Sequence, residues 1–290
     1  MHTLIWTLLL SLSPWGLAQA NPTYVATIPP LKMILEPLVQ GRAEVTALLP
    51  PGASPHTFEP RPSDLRRLTN AQALFYVAPE FDGWAARLPA QTRVEVLPLV
   101  PEAYRRHFTA GEEHAGETDR HGGTDPHFWT DPLTVQATLP ALVDALCELD
   151  PPGCPQYQEN ATAFAAELEA LAEELEAKLA PLEGRPVLLF HESLGYFLDR
   201  YGLRVAAVLE PFPGKEPTPR YLKEILKTVR EAGVRAVFTE PQLPKRPAEV
   251  IAEAAGIRLH VLDPLGGTEG RATYPELMRY NARALLEALE

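Results

Sequence analysis

From Pro155 to about Leu182 the chain carries one continuous apolar stripe: Phe164, Leu168, Leu171, Leu175, Leu179 and Leu182, three or four residues apart. That period lines one face of a helix. At ~1.5 Å per residue the helix runs roughly 40 Å, long enough to brace two lobes. A coiled-coil dimer would use the same stripe, but the stripe is too short to sustain one. The spacing therefore predicts a backbone helix packed inside a monomer.

On either side of it, strand-like runs alternate with helical ones. "YVATI", "EVTALLP", "ALFYVAP" and "VEVLPL" come before the stripe, and "PVLLF", "RVAAVLE", "RAVFTE" and "RLHVLD" come after Gly184. Strands alternating with helices predict a parallel sheet in each half. The expected fold is α/β: two lobes, each with a central, mostly parallel sheet, joined by one long rigid helix. Residues 21–154 form the first lobe, 155–183 the linking helix and 184–290 the second lobe. "DPLTVQATLPALVDALCEL" reads as a further helix, kinked at Pro140.

The opening "MHTLIWTLLLSLSPWGLAQA" joins a short apolar run to the small-x-small ending Ala18-Gln19-Ala20. That is the pattern of a cleaved secretory signal peptide, although no Lys or Arg precedes the run. No cysteine follows the run to carry a lipid anchor. Export to the periplasm is the expectation, and it leaves about 270 residues, enough for two lobes. A net charge of −12 argues against nucleic acid as a partner, since phosphate binding needs a concentrated positive field. Cys147 and Cys154 can pair in an oxidising compartment. A two-cysteine zinc site is the rival, but CxxxxxxC lacks the short knuckle spacing.

Four candidate ligands fall at equivalent places. His56 lies in the Pro-rich loop "PPGASPHTFEPRPSD" after a strand, His191 directly follows "PVLLF", and Asp263 directly follows "RLHVL". His127 sits in "DPHFWTDP", just before a helical stretch. Parallel sheets bind ligands beyond the carboxyl ends of their strands, so these groups would meet in the cleft between the lobes. Taken singly, each histidine is more simply a satisfied polar residue, and Asp263 a helix cap. Together, three imidazoles and a carboxylate make a shell suited to Zn(II).

With these segments in place, the chain resembles the zinc/manganese solute-binding proteins of ABC transporters, known as cluster A-I or cluster 9. "PPGASPHTFEPRPSD", "DPHFWTDP", "FTEPQ" and "LDPLGG" match that family's segments in order along the mature chain. The resemblance implies a periplasmic protein, not an enzyme, that hands a divalent metal to a permease in the inner membrane. It implies that His56, His127, His191 and Asp263 bind the metal between the lobes. In the family, Glu at the third position goes with manganese and His with zinc. Here it is His191, so zinc is the expected cargo and manganese the alternative.

The segment from His107 to Asp125 is shorter in histidines than the zinc family's best-known form, with only His107, His114 and His121. It reads as a solvated loop more simply than as a secondary metal collector. Glu240 in "FTEPQ" is a candidate to orient a ligand imidazole from behind, or to cap the next segment. Phe128 and Trp129 are expected to pack beneath the His127 loop. A three-histidine zinc hydrolase is the remaining rival, but Asp263 would close its shell and no HExxH segment supplies a base. Imidazoles bind metal only when neutral, so affinity is expected to fall as pH drops through about 6.5.

Overall fold

The computed structural model describes residues 21–108, 123–211 and 217–290. The first half runs β1 (Thr23–Ala26), α1 (Pro29–Val39), β2 (Glu44–Ala47), α2 (Pro62–Leu68), β3 (Ala73–Tyr76), the one-turn α3 (Pro79–Asp82) and β4 (Arg93–Glu95). Two long helices follow, α4 (Pro132–Leu149) and α5 (Cys154–Leu179). The second half runs β5 (Pro186–Leu189), α6 (Gly195–Arg200), β6 (Arg204–Val208), α7 (Pro219–Ala232), β7 (Ala236–Thr239), α8 (Arg246–Ala255), β8 (Arg258–Val261) and α9 (Tyr274–Leu289). The leading segment through Ala20 lies outside the described residues. No described helix is long and apolar enough to cross a membrane.

The two sheets share one topology, β2-β1-β3-β4 and β6-β5-β7-β8. Every pairing in them is parallel. Alternation along the central strands explains how each sheet is covered on both faces. Tyr24 and Ala26 of β1 face a central core while Val25 faces an outer one. In β5, Val187 and Leu189 face the centre and Leu188 faces outward. The central core is continuous: it takes in one face of each sheet and the buried stripe of α5.

The sequence holds 31 prolines, and their placement is orderly. Every described α-helix except α6 has a proline in its first two positions, where the missing N–H would have no helical partner anyway. Pro37 of α1 and Pro140 of α4 are exceptions inside helices, and Pro140 does not interrupt α4, which runs on to Leu149.

In α5, Phe164, Leu168, Leu171, Leu175 and Leu179 are all buried, as the stripe predicted. The helix packs on α4, α1 and α9. Cys147 and Cys154 form a disulfide, with Cα atoms 4.6 Å apart, across the turn from α4 to α5. Asp150 in that turn is held twice, by Arg42 through Nε and Nη2 (2.7 Å each) and by the Tyr157 hydroxyl (2.7 Å).

Candidate metal centre

His56 hangs in the connection between β2 and α2, and local geometry restrains it. Turn bonds run from Ala53 N–H to the Pro50 carbonyl and from Thr57 N–H to the Ser54 carbonyl. Trp84 Nε1 donates to the Pro55 carbonyl at 2.9 Å, pinning the residue before the imidazole. The ring itself packs edge-on against Phe81, centroids 4.9 Å apart. Prolines on both sides leave the segment few alternative shapes, so little conformational entropy remains to be lost on binding.

His127 is held more tightly still. Asp125 Oδ1 accepts both the His127 backbone N–H (3.0 Å) and the ring Nδ1 (2.7 Å). A carboxylate oxygen only accepts, so Nδ1 carries the proton and Nε2 is left as the free donor atom. Behind it, Phe128 and Trp129 are fully buried, as expected for residues packed beneath the loop. Trp129 Nε1 donates to the Pro264 carbonyl at 2.8 Å, joining this turn to the Asp263 turn.

His191 stands two residues past β5 and is buried. Neither ring nitrogen makes a hydrogen bond of normal geometry among the described residues. Buried polar atoms are normally paired, so this ring points to a ligand. The three imidazoles converge: one nitrogen from each lies within 4.8 Å of the others. Ring centroids are 5.3 Å apart for His127–His191 and His56–His191, and 6.2 Å for His56–His127. Around a tetrahedral zinc the nitrogens would sit roughly 3.4 Å apart, so only a small contraction is needed. The rings border a cavity of about 10 Å³, walled by Phe81, Trp129 and Leu265 with Ser193 and Glu240 as polar neighbours.

Burial also sets their charge. Desolvation, reinforced by the neighbouring His127, pushes His56 down to about 3. The same two causes, with His56 added, hold His191 well below its ordinary value, against a weak opposing contact with the Glu210 backbone. Both rings are neutral at pH 7 and ready to bind a cation.

The two candidate carboxylates stand apart from the three rings. Among the described residues, Asp263 does not join the three-histidine group. Its Oδ1 accepts Gln242 Nε2 (2.9 Å) and the N–H groups of Leu265 and Gly266 (3.0 Å each), and its Oδ2 accepts Arg271 Nη1 (2.9 Å). Asp263 therefore organises the turn after β8. Glu240 is buried beside the cavity, but its described partner is the Ser193 hydroxyl (2.6 Å) and not an imidazole. Desolvation raises it to about 8. The carboxylate that does orient a ring is Asp125, and the Asp-x-His spacing of "DPH" was the signal for it. His107 lies apart from the group, near Thr124 and Glu102; His114 and His121 lie outside the described residues.

With this geometry in hand, comparison with known proteins is decisive. Residues 25–288 match the family described as "Zinc-uptake complex component A periplasmic", ZnuA. The chain belongs to the ZnuA family. A high-affinity zinc uptake system protein ZnuA from Paracoccus denitrificans (strain Pd 1222) is 32% identical over 299 residues, covering 92% of each chain. A solved ZnuA structure has a TM-score of 0.79 at 28% identity and covers 93% of this chain and 100% of that one. The manganese-binding lipoprotein MntA of Halalkalibacterium halodurans is also similar, 28% identical over 263 residues, 88% of this chain and 84% of its own.

Proposed function

We propose that this protein captures Zn(II) in the periplasm, after removal of a signal peptide ending near Ala20, and delivers it to an ABC-type permease in the inner membrane. The observation that carries the reading is the convergence of His56, His127 and His191, with burial holding His56 and His191 neutral. Nitrogen-rich, uncrowded shells suit a d¹⁰ ion with no geometric demand of its own. A rigid Pro-rich loop and an Asp125-braced ring bring the donors nearly into place before the ion arrives. The expected fourth ligand, Asp263, already accepts four hydrogen bonds that organise its turn.

Manganese is the second reading, favoured by the similarity to a manganese-binding lipoprotein. The test is competition of the metal-free protein against a chelator of known affinity, with zinc and manganese in turn. Tight zinc binding that falls on the order of 100-fold in each of His56→Ala, His127→Ala and His191→Ala is the expected outcome, since structural zinc binding of ~10–16 kcal/mol is spread over about four ligands. Wild-type affinity in all three variants would remove the reading. An assay for ester or peptide hydrolysis is expected to give no turnover; sustained turnover would favour the hydrolase.

A further inference from the structure

Arg106 lies in the connection after β4, outside the histidine group, yet it reaches both halves of the site. Its Nη1 donates to Asp125 Oδ2 (2.9 Å), its Nη2 to Glu192 Oε1 (2.5 Å) and its Nε to Asp199 Oδ2 (2.7 Å). Asp125 is the fully buried carboxylate whose other oxygen holds His127. Glu192 directly follows His191. The Arg106 backbone N–H donates to the Tyr196 hydroxyl (2.8 Å), and that hydroxyl donates to the Asp125 carbonyl (3.2 Å).

Three carboxylates around one guanidinium, with only Asp125 fully buried and Asp199 exposed, is a poor way to gain stability. It is a good way to fix directions, since the planar fork meets each carboxylate along a set line. The packing is tight around it. A Cβ on Gly195 would fall 2.5 Å from Arg106 Cζ and Nη1.

We propose that Arg106 is a positioning residue for the metal centre, fixing the His127 tautomer through Asp125 and the spacing of His127 from His191 through Glu192. This rests on the zinc-binding reading above.

The experiment compares wild type with Arg106→Met, Arg106→Lys, Gly195→Ala, Asp125→Asn and the double variant Arg106→Met/Asp125→Asn. Each is measured for zinc affinity by chelator competition, and metal-free for imidazole ¹⁵N shifts and thermal midpoint. Arg106→Met is expected to lose about 10–100-fold in zinc affinity, the usual cost of removing a partner behind a ligand. Its metal-free His127 should become a mixture of tautomers where wild type holds Nδ1–H. Lysine should not rescue, because a point charge cannot span three carboxylates. Gly195→Ala should move both readouts the same way by a smaller amount. In the Asp125→Asn background the Arg106 effect should shrink to a few-fold, as expected of groups acting in series.

A folded Arg106→Met protein with wild-type zinc affinity and an unchanged tautomer, whatever its thermal midpoint, overturns the proposal. Should that variant not fold, Arg106→Lys and Gly195→Ala decide on the same two readouts. Should wild type bind no zinc, the functional reading fails, and the tautomer measurement still decides for or against Arg106.

Discussion

Arg271 donates to Asp263 across 2.9 Å, from Nη1 to Oδ2, and so occupies the one carboxylate oxygen that the neighbouring turn leaves over. An Asp263→Asn variant should therefore act first on stability. Losing a buried, charge-assisted bond costs about 1.5–3 kcal/mol. Zinc affinity should change less than in any of the three histidine variants. Thermal melts alongside zinc titrations check this, and a loss of affinity matching His127→Ala, with the melt unchanged, would make Asp263 the fourth ligand.

The pH response should lie lower than free histidine suggests. A metal competes with protons for imidazole, and burial has moved His56 to about 3 and His191 well below its ordinary value. Proton competition at His56 and His191 should therefore weaken zinc binding only well below about 6.5. The metal-free protein should respond in the same window. Between about 3 and 6.5 the unfolded chain binds more protons at His56 than the folded one, so stability is full above that range and falls with falling pH. Melts from about pH 4 to 7 should slope less steeply for His56→Gln than for wild type. Equal slopes would count against a neutral, desolvated His56.

Replacing His191 tests the choice of ion. Glutamate there would add a negative charge and hard oxygen donors, which suit manganese better than three nitrogens do. His191→Glu should narrow the preference for zinc over manganese by about tenfold or more, given that a 1.4 kcal/mol change suffices for a factor of ten. Competition titrations with each metal read this directly. An unchanged ratio would remove His191 as the residue that selects the ion.

The Cys147–Cys154 bridge closes a short loop, with a sequence separation of 7. Chain entropy alone values it at about 2.5 kcal/mol. Asp150, clamped by Arg42 and Tyr157 within the same loop, should preserve the turn when the bridge is absent. The Cys147→Ser/Cys154→Ser variant should thus melt about 5–10 °C lower while binding zinc as wild type does. A large loss of zinc affinity would show that the bridge reaches the site.

The sequence exposed what depends on local periodicity. The α5 stripe and the repeated strand-then-helix order needed only neighbours a few residues apart, and so both lobes were legible. His56 and His191 were legible because each lies past the end of an apolar run. Asp263 follows a strand too, but its two oxygens are claimed by Gln242, the N–H groups of its own turn and Arg271. That outcome depends on how the loop folds back, which no period encodes. Arg106 was hidden for a related reason: its partners Glu192 and Asp199 are 86 and 93 residues away.

The last helix reaches further than its position suggests. Leu277, Leu285 and Leu289 of α9 belong to the same core as α1 and α5, and Tyr274 donates to the Trp129 carbonyl at 2.8 Å. Asn281 on the same helix bonds the Asp263 backbone in both directions, at 2.8 Å each. The consequence is one of coupling: this single helix holds the turn that follows His127 and the turn that carries Asp263, so a change in it is felt at both.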